Sequence, residues 1–257
     1  MHMMISKCHF INLDTLIKGN SIKLGADVFI DTLQKSGIPF LIFTEQCNKT
    51  SEQLCEHLAS IGIKNIKPNQ IYTTAMAAID WIANKANHLH RFAYVGTKAL
   101  KNTIESANYQ IDFINPEVVL VGMDRNMTYR EYCDISNSIQ NAKYFISIDN
   151  RNKEKVDGIE MIGNKAIVRM LEISSNKKAM DFGRGSEISI HMALLYLGLG
   201  LEDVVCVGSN FKKDIVPAHN LGIDTVFVTE GKGVLGLGMD KGLHPTYLVE
   251  DLYGLTK

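Results

Sequence analysis

Four short polar elements in this chain sit at or just after the ends of apolar runs, and their side chains could do chemistry. The first is Asn12-Leu13-Asp14-Thr15, which closes the run 8–13 and precedes Gly19. Asp14 can exchange a proton as a general acid or base. Asn12 cannot act as a nucleophile, because an amide nitrogen offers no free lone pair at neutral pH. The other elements are Phe43-Thr44-Glu45-Gln46, Gly183-Arg184-Gly185, and Gly208-Ser209-Asn210-Phe211-Lys212-Lys213-Asp214. Each has a bland reading taken alone. Asn12 and Asp14 could be an ordinary loop, Thr44 a strand-end cap, Arg184 a surface cation, and Asp214 a carboxylate settling a helix N-terminus. Their common placement after strands is what joins them, since open α/β sheets build sites at the carboxyl ends of their strands.

The elements that must position these residues can be read from periodicity. Apolar runs at 8–13, 39–44, 70–74, 92–96, 118–121, 144–148, 204–208 and 225–229 read as strands. Helical patterns lie between many of them. One covers 24–36 and is closed by Gly37, and one covers 50–62 with Ser51 as its cap. Others cover 75–86, 188–197 and 214–221, the last stopped by Gly222. Near-continuous apolar strands alternating with helices predict an α/β fold with a parallel sheet flanked by helices on both faces. Residues 85–179, richer in Asn and Lys, read as an inserted domain.

Composition narrows the function classes. A chain of 257 residues with 46% hydrophobic content can bury a large core. A net charge of −1 and a pI near 6.7 provide no global attraction to nucleic acid or to an anionic membrane. Neither is expected as a partner. The five cysteines, Cys8, Cys47, Cys55, Cys133 and Cys206, form no CxxC pair, which suits reduced thiols in the cytoplasm. No signal-peptide pattern begins at Met1, and the most apolar helical stretch, 191–201, is about half of the ~20 residues a bilayer crossing takes. Gly231-Lys232-Gly233-Val234-Leu235-Gly236 satisfies GxGxxG, but Gly236, Gly238 and Gly242 make a poor helix after it, so it reads as a loop and not a dinucleotide site. No HExxH or GxSxG occurs.

In order and spacing, the four elements resemble the four motifs of the haloacid dehalogenase (HAD) superfamily, in particular its subfamily IIA of NagD-like and p-nitrophenyl phosphatase-like proteins. The resemblance extends to Ile38-Pro39-Phe40-Leu41-Ile42-Phe43-Thr44, to Ile71-Tyr72-Thr73-Thr74-Ala75-Met76, and to Val119-Leu120-Val121-Gly122-Met123-Asp124 with Thr128-Tyr129. It implies a Rossmann-like HAD core over residues 1–84 and 180–257, with an inserted α/β cap of the C2 type over 85–179. Asp124 in that cap reads as structural.

The resemblance also assigns positions. Asn12 stands at the nucleophile, where the family carries a carboxylate that forms an aspartyl-phosphate. Asp14 stands at the acid/base, without the Gly that normally comes next. Thr44 and Arg184 stand where a hydroxyl and a Lys hold phosphoryl oxygens, and an Arg keeps the cation in planar form. Ser209 stands where an Asp binds Mg²⁺, together with the main-chain carbonyl of Asp14 and with Asp214 as a nearby carboxylate. Asp149, Asn150 and Arg151 fall on the cap's substrate-shaping stretch. With both metal carboxylates replaced by neutral groups, Mg²⁺ is expected to bind weakly or not at all. The expectation is therefore a pseudo-phosphatase that binds a phosphorylated small molecule, as a homodimer. An active Mg²⁺-dependent phosphatase and a non-catalytic interaction protein are the alternatives.

Overall fold

The computed structural model describes residues 7–156, 158–231 and 242–256. The glycine-rich stretch that satisfies GxGxxG lies outside the described residues from Lys232 onward, as do the first residues of the chain. The chain forms two compact units. One comprises residues 1–44, 51–72 and 190–257, and the other residues 45–50 and 73–189.

The first unit is built on a six-stranded sheet. Its order is Tyr247–Val249, Asp224–Val228, Val204–Gly208, Cys8–Asn12, Phe40–Thr44 and Ile71–Thr73. Cys8–Asn12 pairs in parallel with Val204–Gly208 on one side and Phe40–Thr44 on the other. Asp224–Val228 pairs in parallel with both of its neighbours. The first strand of the chain thus lies centrally, between strands from the two ends of the sequence. That reversal of strand order opens a crevice at the carboxyl edge, beside Asn12 and Gly208. The three central strands, Val204–Gly208, Cys8–Asn12 and Phe40–Thr44, are buried along their whole length, as their largely apolar composition requires. Ile11, Ile42, Val205, Val207 and Val226 are completely buried, and Phe29, Ile30 and Leu33 of the helix Ala26–Lys35 pack with them. Gly37, just beyond that helix, takes a φ of +65°, the left-handed conformation that ends helices most readily with glycine.

The second unit carries a five-stranded parallel sheet. Its order is Met180–Asp181, Tyr144–Ser147, Val118–Val121, Arg91–Val95 and Gln110–Ile111. The helix Tyr129–Asn141 begins with a capping box. The Thr128 hydroxyl accepts from the Glu131 N–H, and the Glu131 carboxylate accepts from the Thr128 N–H. Asp124 accepts the Asn126 N–H within its loop. An antiparallel ribbon, Lys153–Val156 with Ile159–Ile162, is an addition that the apolar pattern does not announce.

Several local expectations are corrected. Ser51 is the first residue of the helix Ser51–Ser60 and not its cap, and its hydroxyl donates to the Ile71 carbonyl instead. The expected helix at 214–221 is a π-type turn, Phe211–Ile215, followed by the short helix Val216–Asn220 with a proline in its first turn. No described cysteine is bridged. Among the described residues no helix is long and apolar enough to cross a membrane.

One buried polar group makes the core sensitive to acid. His9 is 3% exposed, its Nδ1 lies 3.1 Å from the Lys7 carbonyl, and its ring meets Phe29 edge-on at 5.9 Å. Burial pushes its pKa down to about 4, against the smaller raising effect of the Lys7 carbonyl. In the unfolded chain the ring takes up a proton near pH 6.5. Between pH 6.5 and 4 the unfolded state therefore binds the extra proton. The contribution of neutral His9 is complete above pH 6.5 and is lost as pH falls toward 4, by about 3 kcal/mol. Urea melts at pH 7 and pH 4.5 check this. His9→Leu should lose part of the acid sensitivity, and an unchanged pH slope would refute the assignment.

Candidate functional site

The strand Cys8–Asn12 passes without a linker into the single helical turn Leu13–Leu16, and Asn12 caps that turn. Its backbone is extended, at φ −71° and ψ 131°, and its Oδ1 accepts the Asp14 N–H at 3.0 Å. This is what an Asn at an N-cap does best, and it turns the amide oxygen back onto its own chain. Asn12 is buried and Asp14 half-buried. Thr15 Oγ1 is buried and has no hydrogen-bond partner among the described residues.

Across the crevice, Ser209 comes directly after the strand Val204–Gly208. The turn that carries it is organised by Asp214, whose Oδ2 accepts the Ser209 N–H at 3.1 Å and the Asn210 N–H at 2.9 Å. A Cβ on Gly208 would stand 2.2 Å from the Asp214 Cβ, so only glycine fits there. The Asp214 carboxylate is thereby committed to shaping the loop. The Ser209 hydroxyl lies 3.5 Å from the Asp14 main-chain carbonyl. Asn12, Asp14 and Ser209, far apart in sequence, are thus brought to one place at the sheet edge. Thr44 ends the neighbouring strand in the same unit and is buried.

Two residues that motif reasoning missed complete the cluster. The Lys23 ammonium donates to the Asp14 main-chain carbonyl and to Glu230 Oε1, and stands 3.4 Å from Ser209 Oγ. Both side chains are largely covered, 21% exposed for Lys23 and 26% for Glu230. Glu230 takes a φ of +55°, which a residue with a Cβ adopts at a cost of roughly 1–2 kcal/mol. One signal was readable: Glu230 comes directly after the apolar strand run 225–229, as the four elements do after theirs. Lys23 carries no such mark. A cavity of ≈ 340 Å³ adjoins the cluster, lined among others by Thr15, Lys18, Lys23, Glu230, Glu250 and Asp251. Its carboxylates outnumber its ammonium groups.

The Mg²⁺ implied by the resemblance finds a poor donor set here. Asn12 Oδ1 already accepts a backbone N–H, and the Asp14 carbonyl and Ser209 hydroxyl lie against an ammonium group. No group of three or more His, Cys, Asp or Glu that could hold a metal ion occurs among the described residues. Hard dications take carboxylate-rich oxygen sets, so these residues do not fit one.

The remaining site positions lie in the second unit, gathered around Glu45. Its Oε2 accepts the Arg184 N–H at 3.1 Å and the Asn150 N–H at 3.3 Å. The Asn150 amide donates in turn to the Arg184 carbonyl at 3.0 Å. A Cβ on Gly183 would meet the Asn150 Cγ at 2.6 Å, so this junction also requires glycine. Asp149, 2% exposed, accepts the Arg151 N–H at 2.9 Å and pairs with its guanidinium. Burial alone would lower the Arg151 pKa. The hydrogen bonds and charge of Asp149, with the charges of Glu45 and Glu154, outweigh burial and raise it. Arg184 is buried, at 7% exposure.

Comparison with known proteins agrees with this architecture. A family model described as haloacid dehalogenase-like hydrolase matches residues 13–110, and a second, HAD-hydrolase-like model matches residues 182–255. The chain is 30% identical to an acid sugar phosphatase of Staphylococcus aureus (strain USA300) over 249 residues, covering 96% of this chain and 95% of that protein. A putative p-nitrophenyl phosphatase from Bacillus subtilis superposes with a TM-score of 0.86 at 25% identity, covering 98% of this chain and 95% of that one. NagD from E. coli K-12 superposes with the same score at 23% identity, over 96% of each chain, which bears on the fold alone.

Proposed function

This chain belongs to the haloacid dehalogenase-like hydrolase family, and we propose that it binds a phosphorylated small molecule without turning it over through an aspartyl-phosphate. The observation that carries this reading is Asn12. At the end of the central strand, where the family's chemistry begins, stands an amide whose oxygen is already hydrogen-bonded to the Asp14 N–H. An amide supplies neither a nucleophile nor a charged metal ligand. Anion binding asks less of the site. Thr44 and Arg184 hold the phosphoryl oxygens in this reading, as hydroxyl and guanidinium groups do elsewhere. In this reading residues 85–179 are the cap, and Asp149, Asn150 and Arg151 fall on its substrate-shaping stretch.

Thermal denaturation against inorganic phosphate and a panel of sugar phosphates, with phosphate release measured in parallel, tests the proposal. A true ligand at 100 times its Kd should stabilise the protein by about 2.7 kcal/mol, roughly 5–10 °C for a chain of this size, with no phosphate released. Stabilisation should disappear in Arg184→Ala. If no compound stabilises the protein, the pocket is relict and the interaction-protein reading takes over.

The relatives favour a second reading, an active Mg²⁺-dependent phosphatase on a small phosphometabolite of the sugar phosphate or pyridoxal phosphate type. The likeness to the acid sugar phosphatase spans nearly the whole chain. In that reading Asp14 or Glu45 takes on altered duties. Phosphate release that needs Mg²⁺ and vanishes in Asp14→Ala would select it.

A further inference from the structure

We infer that Lys23 is a tethered cation that takes the place of the divalent ion in this site. The inference deepens the reading above, but its test uses a metal ion alone and stands whether or not any phosphorylated compound binds.

The geometry is that of a cation in an oxygen cage. Three oxygens converge on one ammonium, the Asp14 main-chain carbonyl, Glu230 Oε1 and, at 3.4 Å, Ser209 Oγ. They come from the turn after the central strand, from the residues just after the strand Asp224–Val228, and from the turn after Val204–Gly208. Two of the three, the Asp14 carbonyl and Ser209, are the positions at which the resemblance places metal ligands. An ammonium carries three N–H donors, so three acceptors saturate it. A short-range ion pair of this kind excludes a second cation from the same oxygens, because like charges about 4 Å apart repel strongly where water is partly excluded.

The charge count closes in the same way. A dication needs compensating carboxylates, and Asn12 and Ser209 provide none. A single ammonium needs one, and Glu230 provides it. Glu230 holds a left-handed backbone conformation at its post, with a φ of +55°. Neutral side chains at Asn12 and Ser209 and the Lys23–Glu230 pair thus fit one arrangement, in which a covalently attached monocation with a single carboxylate partner stands where a dication would need carboxylates of its own.

Manganese binding to the full-length protein, followed by electron paramagnetic resonance, tests this without reference to activity. Four proteins are compared: the native chain, Lys23→Met, Asn12→Asp with Ser209→Asp, and those two changes together with Lys23→Met. The native chain and Lys23→Met should show no saturable Mn²⁺ site, the latter because its carboxylates are still missing. The double variant should bind at least about tenfold more weakly than the triple variant, a difference of about 1.4 kcal/mol. Equal affinities in the double and triple variants would overturn the inference. So would saturable Mn²⁺ binding by the native chain that is abolished in Glu230→Gln. Should the triple variant fail to fold, Lys23→Gln in the same background keeps a polar side chain and the same pair of outcomes.

Discussion

With Mg²⁺ and p-nitrophenyl phosphate supplied, this protein should release nitrophenolate about 10⁴–10⁶-fold more slowly than a p-nitrophenyl phosphatase that carries a carboxylate at the position of Asn12. The expected deficit corresponds to roughly 5–8 kcal/mol of lost transition-state stabilisation, the scale found when a nucleophile is removed from an otherwise intact site. The physical reason is local. Attack on phosphorus needs a charged oxygen aimed out of the strand end. The Asn12 oxygen is neutral and accepts the Asp14 N–H at 3.0 Å. Asp14 can still move a proton, but proton transfer alone contributes on the order of 10²–10⁴ in rate and has no covalent step to assist. Absorbance at saturating substrate measures the rate directly. A rate within about a hundredfold of such an enzyme, lost in Asp14→Ala, would overturn the expectation and make Asp14 the working carboxylate.

The second large effect concerns stability. Asp214→Ala should cost about 2–4 kcal/mol, because it strands the half-buried Ser209 N–H at about 1–3 kcal/mol and also removes the charge-assisted bonds to it and to the more exposed Asn210 N–H. Asp214→Asn keeps one acceptor oxygen of the same shape and should cost less than half as much. Gly208→Ala should be comparably harmful for a steric reason, since its methyl would stand 2.2 Å from the Asp214 Cβ. Urea denaturation of the three variants checks the series. A cost below about 1 kcal/mol for Asp214→Ala would mean that water replaces the carboxylate and that the turn is held elsewhere. If the series behaves as expected, Asp214 serves to place Ser209 against the Asp14 carbonyl, and its acidity is spent on that task.

How legible the molecule was depended on whether the governing interactions were local. Strands such as Cys8–Asn12 and Val204–Gly208 announced themselves because a strand buried on both faces is apolar along most of its length. The helix boundary at Gly37 was readable because a left-handed residue there favours glycine. The turn at Phe211–Ile215 was not, since its conformation depends on Asp214 reaching back to the N–H groups of Ser209 and Asn210. Ser51 looked like a cap but spends its hydroxyl on Ile71, twenty residues away. The short strands Met180–Asp181 and Gln110–Ile111 were missed because two residues carry no period.

The same division runs through the site. From sequence alone it was settled that Asn12 and Ser209 are neutral where the resemblance calls for carboxylates, because residue identity is a covalent fact. It was likewise settled that they sit at the ends of apolar strands in an α/β chain. Which cation meets them was decided only by tertiary structure. Lys23 and Glu230 are 207 positions apart and join because a parallel sheet lays the first strand of the chain beside Val204–Gly208, which pairs in turn with Asp224–Val228. A pair that exists only through strand order leaves no spacing to read along the chain.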